Sequence, residues 1–314
     1  MSSAAARSAQ SDYVRPVPSH GDRLRQPGRV GETRRRTQRL GAVLDALGAT
    51  GEVDVGELSA RLGVSASTLR RDLARLEEQK LLVRTHGGAV RTRGQDSELP
   101  VRYRDSLRDV DKLAIAEAVV AALPAGRLVI GLTGGTTTTA VAHLLAAREG
   151  LTVVTNAINI AADLALGSSA RVFLTGGFMR SRSYEVVGPS AVQALSGLTL
   201  HSALVGVDGI SAAAGLTTFD EVEAATNQAM IRRAKRVVVV ADGSKVGREL
   251  VARMAPVDAV DELVTTAPVD PEALRALRRA GVAVTVVGGR APAPGEAGTE
   301  GARHRDAAGG PPAP

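Results

Sequence analysis

The segment GLTGGTTTTAVAHLL (Gly131–Leu145) joins an apolar run to a helical one through a Gly-Gly pair and four threonines. It predicts a strand that ends at Leu132, a turn through Gly134 and Gly135, and a helix that starts among the threonines. Free N–H groups at such a helix N-terminus attract an anion. The same threonines also suit simple helix capping. Because no Gly-Lys-Ser/Thr follows, the segment does not match a nucleotide-hydrolysing loop.

Short apolar runs recur on both sides of this segment. They alternate with stretches long enough for crossover helices, which indicates a mainly parallel α/β sheet covered on both faces. A helix over 110–123 precedes the first strand. The predicted strands are Leu128–Leu132, Leu151–Thr155, Arg171–Thr175, Ala203–Val207, Val237–Ala241, Ala259–Thr265 and Val282–Val287.

Glycines or polar residues follow several of these strands, among them Asn156, Gly177, Asp208 and Lys245. The carboxyl ends of parallel strands meet at one sheet edge, where ligands of α/β proteins usually bind. Lys245 is one of only four lysines in the chain. Its spacing alone leaves two interpretations open, a solvated surface charge or a ligand for an anion.

Residues 33–93 have a different, helical pattern that predicts a winged helix-turn-helix. Leu40, Val43, Leu44 and Leu47 form one apolar stripe, and Leu69, Leu73 and Leu76 form another. Asp54 and Glu57 resemble a capping box before a short second helix, Gly63 ends that helix, and Ser65 caps the third. The pair Gly87-Gly88 between β-prone flanks predicts a tight hairpin.

The positive charge of the chain is concentrated in this region. The net charge is +6, and residues 1–95 contain 17 Lys and Arg against 10 Asp and Glu. Such an asymmetry is typical of a part that meets a polyanion. Guanidinium groups bind guanine or phosphate, and hydroxyl groups bind phosphate. The residues predicted to contact DNA are Ser65, Ser67, Thr68, Arg70, Arg71, Arg75, Arg84 and His86.

The segment VSASTLRRDLARLEEQKLLVRTHGGA (64–89) is similar to the DNA-binding signature of the DeoR family of bacterial repressors. The resemblance extends from about Thr33 to Gly288. It implies an N-terminal winged helix-turn-helix and a C-terminal sensor domain that resembles the sugar-phosphate isomerases and deaminases and binds a phosphorylated sugar. A double-stranded DNA operator and a sugar-phosphate effector are the partners that it implies.

The resemblance also assigns the residues of the sensor site. A phosphate would lie at the Gly-Thr-Thr turn with Lys245, and the sugar portion would lie beyond it. Many members have Asp before this turn where the chain has Thr133, so the choice of sugar is expected to depend on that position. The effector residues that the resemblance implies are Gly135, Thr136, Thr137, Thr138, Asn156, Gly177, Asp208 and Lys245.

Two other functional classes remain open. An isomerase or deaminase on the same fold needs an acid and a base, but the His that deaminase relatives have after the Asp-Gly turn is missing after Asp208. An architectural DNA-binding protein would have no use for the clustered anion-type turns. We therefore expect a regulator rather than an enzyme, acting as a homo-oligomer, dimer or tetramer, because one helix-turn-helix rarely binds an operator tightly enough.

The remaining features of the sequence bear on the domain boundaries, on metals and cofactors, and on location. Residues 1–32 and the Ala/Pro/Gly-rich 291–314 are predicted to be disordered, 94–111 to be a linker, and 112–290 to be the sensor domain. With no cysteine, the chain has neither disulfides nor Cys-ligated zinc, and no metal or cofactor is expected. No apolar run approaches the ~18 residues of a membrane span and no secretory signal is visible, so we expect a cytoplasmic protein.

Overall fold

The computed structural model describes residues 27–91, 98–104 and 109–288. The predicted disordered tail, 291–314, lies outside these residues, as does most of the predicted N-terminal extension. None of the helices in the described part is both long enough and apolar enough to cross a membrane.

The N-terminal domain combines three helices with a small antiparallel sheet. Both predicted leucine stripes are buried in one core, with Val43, Leu69 and Leu76 fully buried. The Asp54 and Ser65 side chains cap the second and third helices, as predicted. The elements are α1 (Pro27–Thr50), β1 (Glu52–Asp54), α2 (Val55–Leu62), α3 (Ala66–Glu78), β2 (Val83–Arg84) and β3 (Gly88–Val90).

Two features of this domain differ from the prediction. Helix α1 begins at Pro27, so residues 27–32, predicted to be disordered, are helical. The predicted Gly-Gly hairpin is present, but its sheet has a third strand, because β1 pairs with β3 in the order β1-β3-β2. Gly88 lies where the two pairings meet, and a Cβ atom there would be 1.8 Å from the Val53 carbonyl oxygen.

Residues 98–104, here called the connecting segment, join the two domains. The sequence predicted a linker over 94–111, and its described part contains the short helix α4 (Val101–Arg104). The first residues of the next helix, α5 (Asp109–Ala122), also fall within the predicted linker. The other residues of that linker lie outside the described part.

The C-terminal domain is built on a seven-stranded sheet in the order β15-β14-β12-β9-β4-β5-β6, in which every neighbouring pair is parallel. This confirms the predicted fold class. The predicted strand from Ala259 starts too early, because residues 257–259 form a 3-10 turn. The strands are β4 (Leu128–Leu132), β5 (Leu151–Thr155), β6 (Arg171–Leu174), β9 (Ser202–Val205), β12 (Val237–Val240), β14 (Glu262–Thr266) and β15 (Ala283–Val287).

Helices cover both faces of this sheet. Residues of α5, α6 and α7 pack in one core and residues of α8, α9 and α10 in the other. Two smaller antiparallel units, β7-β8 and β10-β11-β13, lie beside the sheet. The remaining elements are α6 (Thr136–Leu145), α7 (Ile158–Gly167), β7 (Phe178–Arg180), β8 (Glu185–Val187), α8 (Pro189–Leu195), β10 (Gly209–Ser211), β11 (Gly215–Thr218), α9 (Glu221–Ile231), β13 (Ala252–Ala255) and α10 (Pro271–Arg279).

Candidate functional site

The outer face of α3 is polar and basic. Arg70, Arg71 and Arg75 are exposed on it, opposite the buried leucines. At its start, Ser65 Oγ accepts a hydrogen bond from the Thr68 amide at 3.2 Å and lies 3.0 Å from the Ser67 hydroxyl. The Ser65 hydroxyl is thus engaged in capping, while Ser67 stays exposed.

The hairpin of β2 and β3 is joined to α3 by Arg84. Its amide donates to Glu77 Oε1 at 3.0 Å, and its guanidinium lies 3.7 Å from Glu77 Oε2. His86 is exposed in the turn of the same hairpin. Arg84 of the wing is therefore held against the C-terminal end of α3.

One charged residue of α3 was missed by the sequence analysis. Asp72 is buried, and its Oδ2 accepts a 2.5 Å hydrogen bond from Arg39 Nε of α1. Its position three residues after Leu69, on the apolar side of the helix, is the sequence signal that it is not a surface charge. The pair joins α3 to α1.

A cavity of about 210 Å³ lies at the carboxyl ends of β4, β9 and β12, between the two domains. Of the eight predicted effector residues, five line it: Gly135, Thr136, Thr137, Asp208 and Lys245. Its wall also includes Asp45 of α1 and Leu99 of the connecting segment.

The helix α6 begins at this cavity. Its N-cap residue Gly135 has φ 127°, a conformation that favours glycine, and no side chain caps the helix. The hydroxyls of Thr138 and Thr139 donate to the Gly135 carbonyl at 2.9 and 2.7 Å. Thr138 therefore supports the turn and lies outside the cavity wall, whereas Thr136 and Thr137 line it. The helix N-terminus directs positive potential into the cavity.

Two basic side chains and one hydroxyl, from three parts of the chain, surround Asp208. Arg104 Nη1 lies 3.0 Å and Lys245 Nζ 3.7 Å from its Oδ1 atom, and the Thr218 hydroxyl oxygen lies 3.1 Å from Oδ2. Burial opposes ionisation of Asp208, but the charges of Arg104 and Lys245 outweigh it and hold the pKa of this carboxyl below its usual value. Burial lowers the pKa of Lys245, with Asp208 opposing this shift.

Arg104 and Lys112 were not predicted as site residues, and both line the cavity. Arg104 Nε is buried and has no hydrogen-bond partner among the described residues. Lys112 Nζ donates to the Arg104 carbonyl at 2.7 Å. The scarcity of lysine in the chain is a sequence signal that points to Lys112. No sequence signal points to Arg104, because it falls in the predicted linker.

The cavity wall also has two buried carboxyl groups, Glu185 and Glu223. Glu223 accepts hydrogen bonds from Thr218 at 2.7 Å and from Arg180. Burial raises the pKa of Glu223, although Arg180 opposes this, and burial together with Glu223 raises the pKa of Glu185 well above its usual value. Two carboxyl groups with raised pKa values therefore belong to the cavity wall.

Asn156 and Gly177, which the resemblance assigned to the sugar portion, lie outside the cavity wall. Asn156 is fully buried, and its amide donates at 2.9 Å to Asn227, which does line the cavity. Gly177 has φ 119° beside β8, where a Cβ would be 2.6 Å from the Val187 carbonyl oxygen. Asn156 therefore contacts a lining residue from outside the cavity wall. Position 177 requires glycine because the backbone of β8 leaves no room for a Cβ atom.

Thr133, the expected position for sugar selection, is also buried outside the wall. Its hydroxyl accepts a hydrogen bond from the Gly206 amide at 2.9 Å. It connects the turns after β4 and β9 and does not contact the cavity. Within the described part of the chain, no group of three or more His, Asp or Glu side chains is arranged to hold a metal ion.

Two family models match the chain. One is described as the DeoR C terminal sensor domain and matches residues 108–267; the other is described as the DeoR-like helix-turn-helix domain and matches residues 39–95.

Curated proteins match over most of their length. The chain is 34% identical over 264 residues to a putative aga operon transcriptional repressor of Escherichia coli O157:H7, a match that covers 82% of this chain and 95% of that protein. It is 34% identical over 234 residues to the glycerol-3-phosphate regulon repressor of Escherichia coli K12, with 74% and 92% covered. Among solved structures, ribose 5-phosphate isomerase A of Methanocaldococcus jannaschii has a TM-score of 0.32 and 19% identity, over 45% of this chain and 53% of that one.

Proposed function

Since this chain belongs to the DeoR family of transcriptional regulators, we propose that it represses transcription from a DNA operator and that a phosphorylated sugar bound in the inter-domain cavity controls this. Relatives are named as repressors of the aga operon and of the glycerol-3-phosphate regulon. The observation that carries the proposal is that Arg104 belongs both to this cavity and to the segment connecting it to the DNA-binding domain.

The outer face of α3 is proposed to enter the major groove. Exposed guanidinium groups at Arg70, Arg71 and Arg75 suit guanine edges and phosphates, and the hydroxyl of Ser67 suits a phosphate. Arg84 and His86 extend the same surface along the wing.

The cavity suits a small anion with a polar body. The uncapped start of α6 at Gly135–Thr137, with Lys245 and Arg104, offers donors and positive charge to a phosphate. Asp208 and Asn227 offer hydrogen-bonding groups to sugar hydroxyls. At about 210 Å³ the cavity is smaller than the ~300–1,000 Å³ typical of drug-sized ligands, which favours a compact sugar phosphate.

The connecting segment supplies a physical route for control. Arg104 pairs with Asp208 in the cavity, while the preceding residue, Tyr103, is buried in the core of the DNA-binding domain. A phosphate near Arg104 competes with Asp208 for the guanidinium and so favours another position of α4. Effector binding then changes how the helix-turn-helix units are held over the DNA, which is linkage between two sites.

A homo-oligomer is proposed because operator half-sites require paired reading units. Within the described sheet β6 is an edge strand, and large apolar side chains are exposed on and beside it: Phe173, Leu174, Phe178 and Met179. An unpaired edge with an apolar surface suits association with a second copy of the chain. Since its proposed target is DNA, we place its action in the cytoplasm.

We infer that the chain is a regulator without catalytic activity. The isomerase alternative would use Glu185 or Glu223 as a base. Glu223, however, is already engaged with Arg180 and Thr218, and Glu185 is bound to the Gly134 amide. Glu223 is therefore held in an ion pair, and Glu185 has one oxygen on the backbone of the turn before α6, which supports sensing over turnover.

The test uses the full chain. Its preferred duplex is first selected from random double-stranded DNA, and binding of that duplex is then measured with and without a panel of sugar phosphates, inorganic phosphate and the corresponding unphosphorylated sugars. We expect selective duplex binding, and expect phosphorylated compounds alone to bind and to change DNA affinity. Failure to select any duplex, or binding of no phosphorylated compound, contradicts the proposal.

A further inference from the structure

Glu98, the first residue of the connecting segment, is buried against the C-terminal domain and only 5% exposed. Its carboxylate accepts two hydrogen bonds from the Arg180 guanidinium of β7, at 2.6 and 3.3 Å. Its carbonyl oxygen accepts a third hydrogen bond, at 2.8 Å, from Arg182. The start of the connecting segment is therefore fixed on the β7-β8 hairpin by a bidentate ion pair and a backbone contact.

The connecting segment contacts both domains in turn. Glu98, Val101 and Arg104, spaced three residues apart, contact the C-terminal domain. The Val101 amide donates to the Arg182 carbonyl at 2.7 Å, and Arg104 ends the segment with its ion pair in the cavity. The residues between them that contact the N-terminal domain are Leu99, Arg102 and Tyr103. Both ends of the segment are thus held by ion pairs with the same domain.

These two ion pairs are joined through the cavity wall. Arg180 also binds the carboxylate of Glu223, which lines the cavity. The Thr218 hydroxyl donates to Glu223 at 2.7 Å, and its oxygen lies 3.1 Å from the carboxylate of Asp208, at the other end of the segment. Glu98 is not among the described residues that line the cavity. Its ion pair therefore reaches the cavity only through other side chains.

Glu98 depends on Arg180 more than Arg180 depends on Glu98. Arg180 also binds Glu223, and its Nε atom lies 3.3 Å from Asp220. Within the described part of the chain, Arg180 is the one charged partner of the Glu98 carboxylate. A buried carboxylate that loses its partner is strongly destabilising. A displaced connecting segment would leave Glu98 in that state, so the ion pair favours a single position of the segment.

We propose that the ion pair of Glu98 and Arg180 positions Arg104 for the phosphorylated ligand, because it holds the start of the connecting segment where its other end enters the cavity. Glu98 is then a positioning residue, which affects ligand affinity through Arg104 without touching the ligand. The inference rests on the proposed function, since it needs an anion beside Arg104. It adds a second attachment of the segment to the one at Asp208.

A double-mutant cycle between Glu98 and Arg104 tests this. Glu98→Met fills the buried site without a charge, and folding is retained because Arg180 keeps two carboxylate partners. Glu98→Gln keeps the volume and one oxygen acceptor for the guanidinium, whereas Arg104→Met removes the group that is positioned. The matched control is Glu262→Met, which breaks an ion pair of equal length, 2.6 Å, between Glu262 and Arg236, two residues that are not among those lining the cavity.

Three measurements are made on the full chain. Calorimetry measures binding of inorganic phosphate, mass spectrometry measures deuterium exchange of residues 98–104 without ligand, and melting reports on folding. We expect Glu98→Met to bind phosphate about three- to tenfold more weakly than the wild type, the range for weakening one hydrogen bond, with Glu98→Gln between them. We expect residues 98–104 to exchange roughly tenfold faster in Glu98→Met.

The cycle distinguishes positioning from a purely structural role. In the Arg104→Met background, Glu98→Met is expected to change phosphate affinity by less than about twofold, because no guanidinium is left to position. Glu262→Met is expected to match the wild type in phosphate affinity and in exchange of residues 98–104. If melting shows that Glu98→Met is unfolded, the same cycle is completed with Glu98→Gln.

Different failures have different meanings. If Glu98→Met binds phosphate as tightly as the wild type, or if exchange of residues 98–104 is unchanged, the positioning role is refuted while the proposed function stands. The same holds if Glu98→Met weakens binding equally with and without Arg104. If the wild type binds no phosphate, the anion site is refuted, and with it both the proposed function and the positioning role.

Discussion

Tyr103 and Arg104 are consecutive residues of α4 that belong to different domains by their contacts. The Tyr103 ring is buried in the core of the N-terminal domain, and its hydroxyl donates to Gln79 at the end of α3 at 2.9 Å. Arg104 instead pairs with Asp208 at 3.0 Å in the cavity of the C-terminal domain. A displacement of Arg104 therefore acts on the domain proposed to bind DNA through a single peptide unit.

Tyr103→Ala is expected to abolish effector control while preserving phosphate binding. Removing a buried aromatic ring destabilises by roughly 3–5 kcal/mol, here at the contact between α4 and the N-terminal core. Urea denaturation measures the loss of stability, and DNA binding with and without ligand measures the response to the effector. Tyr103→Phe is the matched control, because it keeps the ring and is expected to retain the response. Loss of its hydrogen bond to Gln79 lowers the unfolding free energy by about 0.5–1.5 kcal/mol. Full ligand response in Tyr103→Ala would exclude this route.

Arg71→Ala is expected to weaken binding of the selected duplex roughly 10- to 100-fold, as loss of a guanidinium contact to a base does, without changing phosphate affinity. Arg71 is exposed on α3 and its truncation leaves the core intact. A gel-shift titration measures the effect, with the exposed Arg278→Ala in α10 as control. Equal duplex affinity in Arg71→Ala and wild type would contradict the assigned face.

Lys245→Met is expected to weaken phosphate binding at least tenfold and to leave duplex binding of the ligand-free protein intact. The ammonium group lies within the cavity near Asp208, and methionine replaces its aliphatic part without the charge. Calorimetry with inorganic phosphate checks this. The control is Lys235→Met, at an exposed lysine outside the cavity wall. Similar losses in both variants would mean that only general electrostatic attraction had been removed.

The pH dependence of stability follows from Glu185. Its raised pKa means that the folded state holds a proton which the unfolded chain releases above about pH 4.3. The unfolding free energy of the wild type therefore falls relative to Glu185→Gln as the pH rises above that value. Urea denaturation of both proteins at pH 5, 6.5 and 8 measures the difference, and a constant difference would contradict a buried neutral acid.

Phe178→Glu is expected to dissociate the proposed oligomer, because it places a charge on the apolar surface beside the edge strand β6, where Phe178 is 81% exposed. Light scattering measures the mass in solution. Val286→Glu, at an exposed position of the opposite edge strand β15, is the control. An unchanged mass for Phe178→Glu would locate the interface elsewhere.

The sequence by itself determined the elements that depend on local chemistry. The leucine stripes, the caps at Asp54 and Ser65, the Gly-Gly hairpin and the parallel strands follow from side-chain period and turn preference within a few residues. The turn at Gly135 and the position of the cavity at the sheet edge were also predictable, because the carboxyl ends of parallel strands converge.

Only the tertiary structure decided which side chains meet. Arg39 and Asp72 are separated by 33 positions, Gly134 and Glu185 by 51, and Arg104 and Asp208 by 104. Such contacts depend on how the elements pack and leave no periodic signal in the sequence. For the same reason Gly177 and Thr133, assigned to the sugar from their place in a motif, are engaged with neighbouring backbone. The turn before α6 is therefore predicted by a local sequence pattern, whereas the charged residues of the cavity come together only when the chain folds.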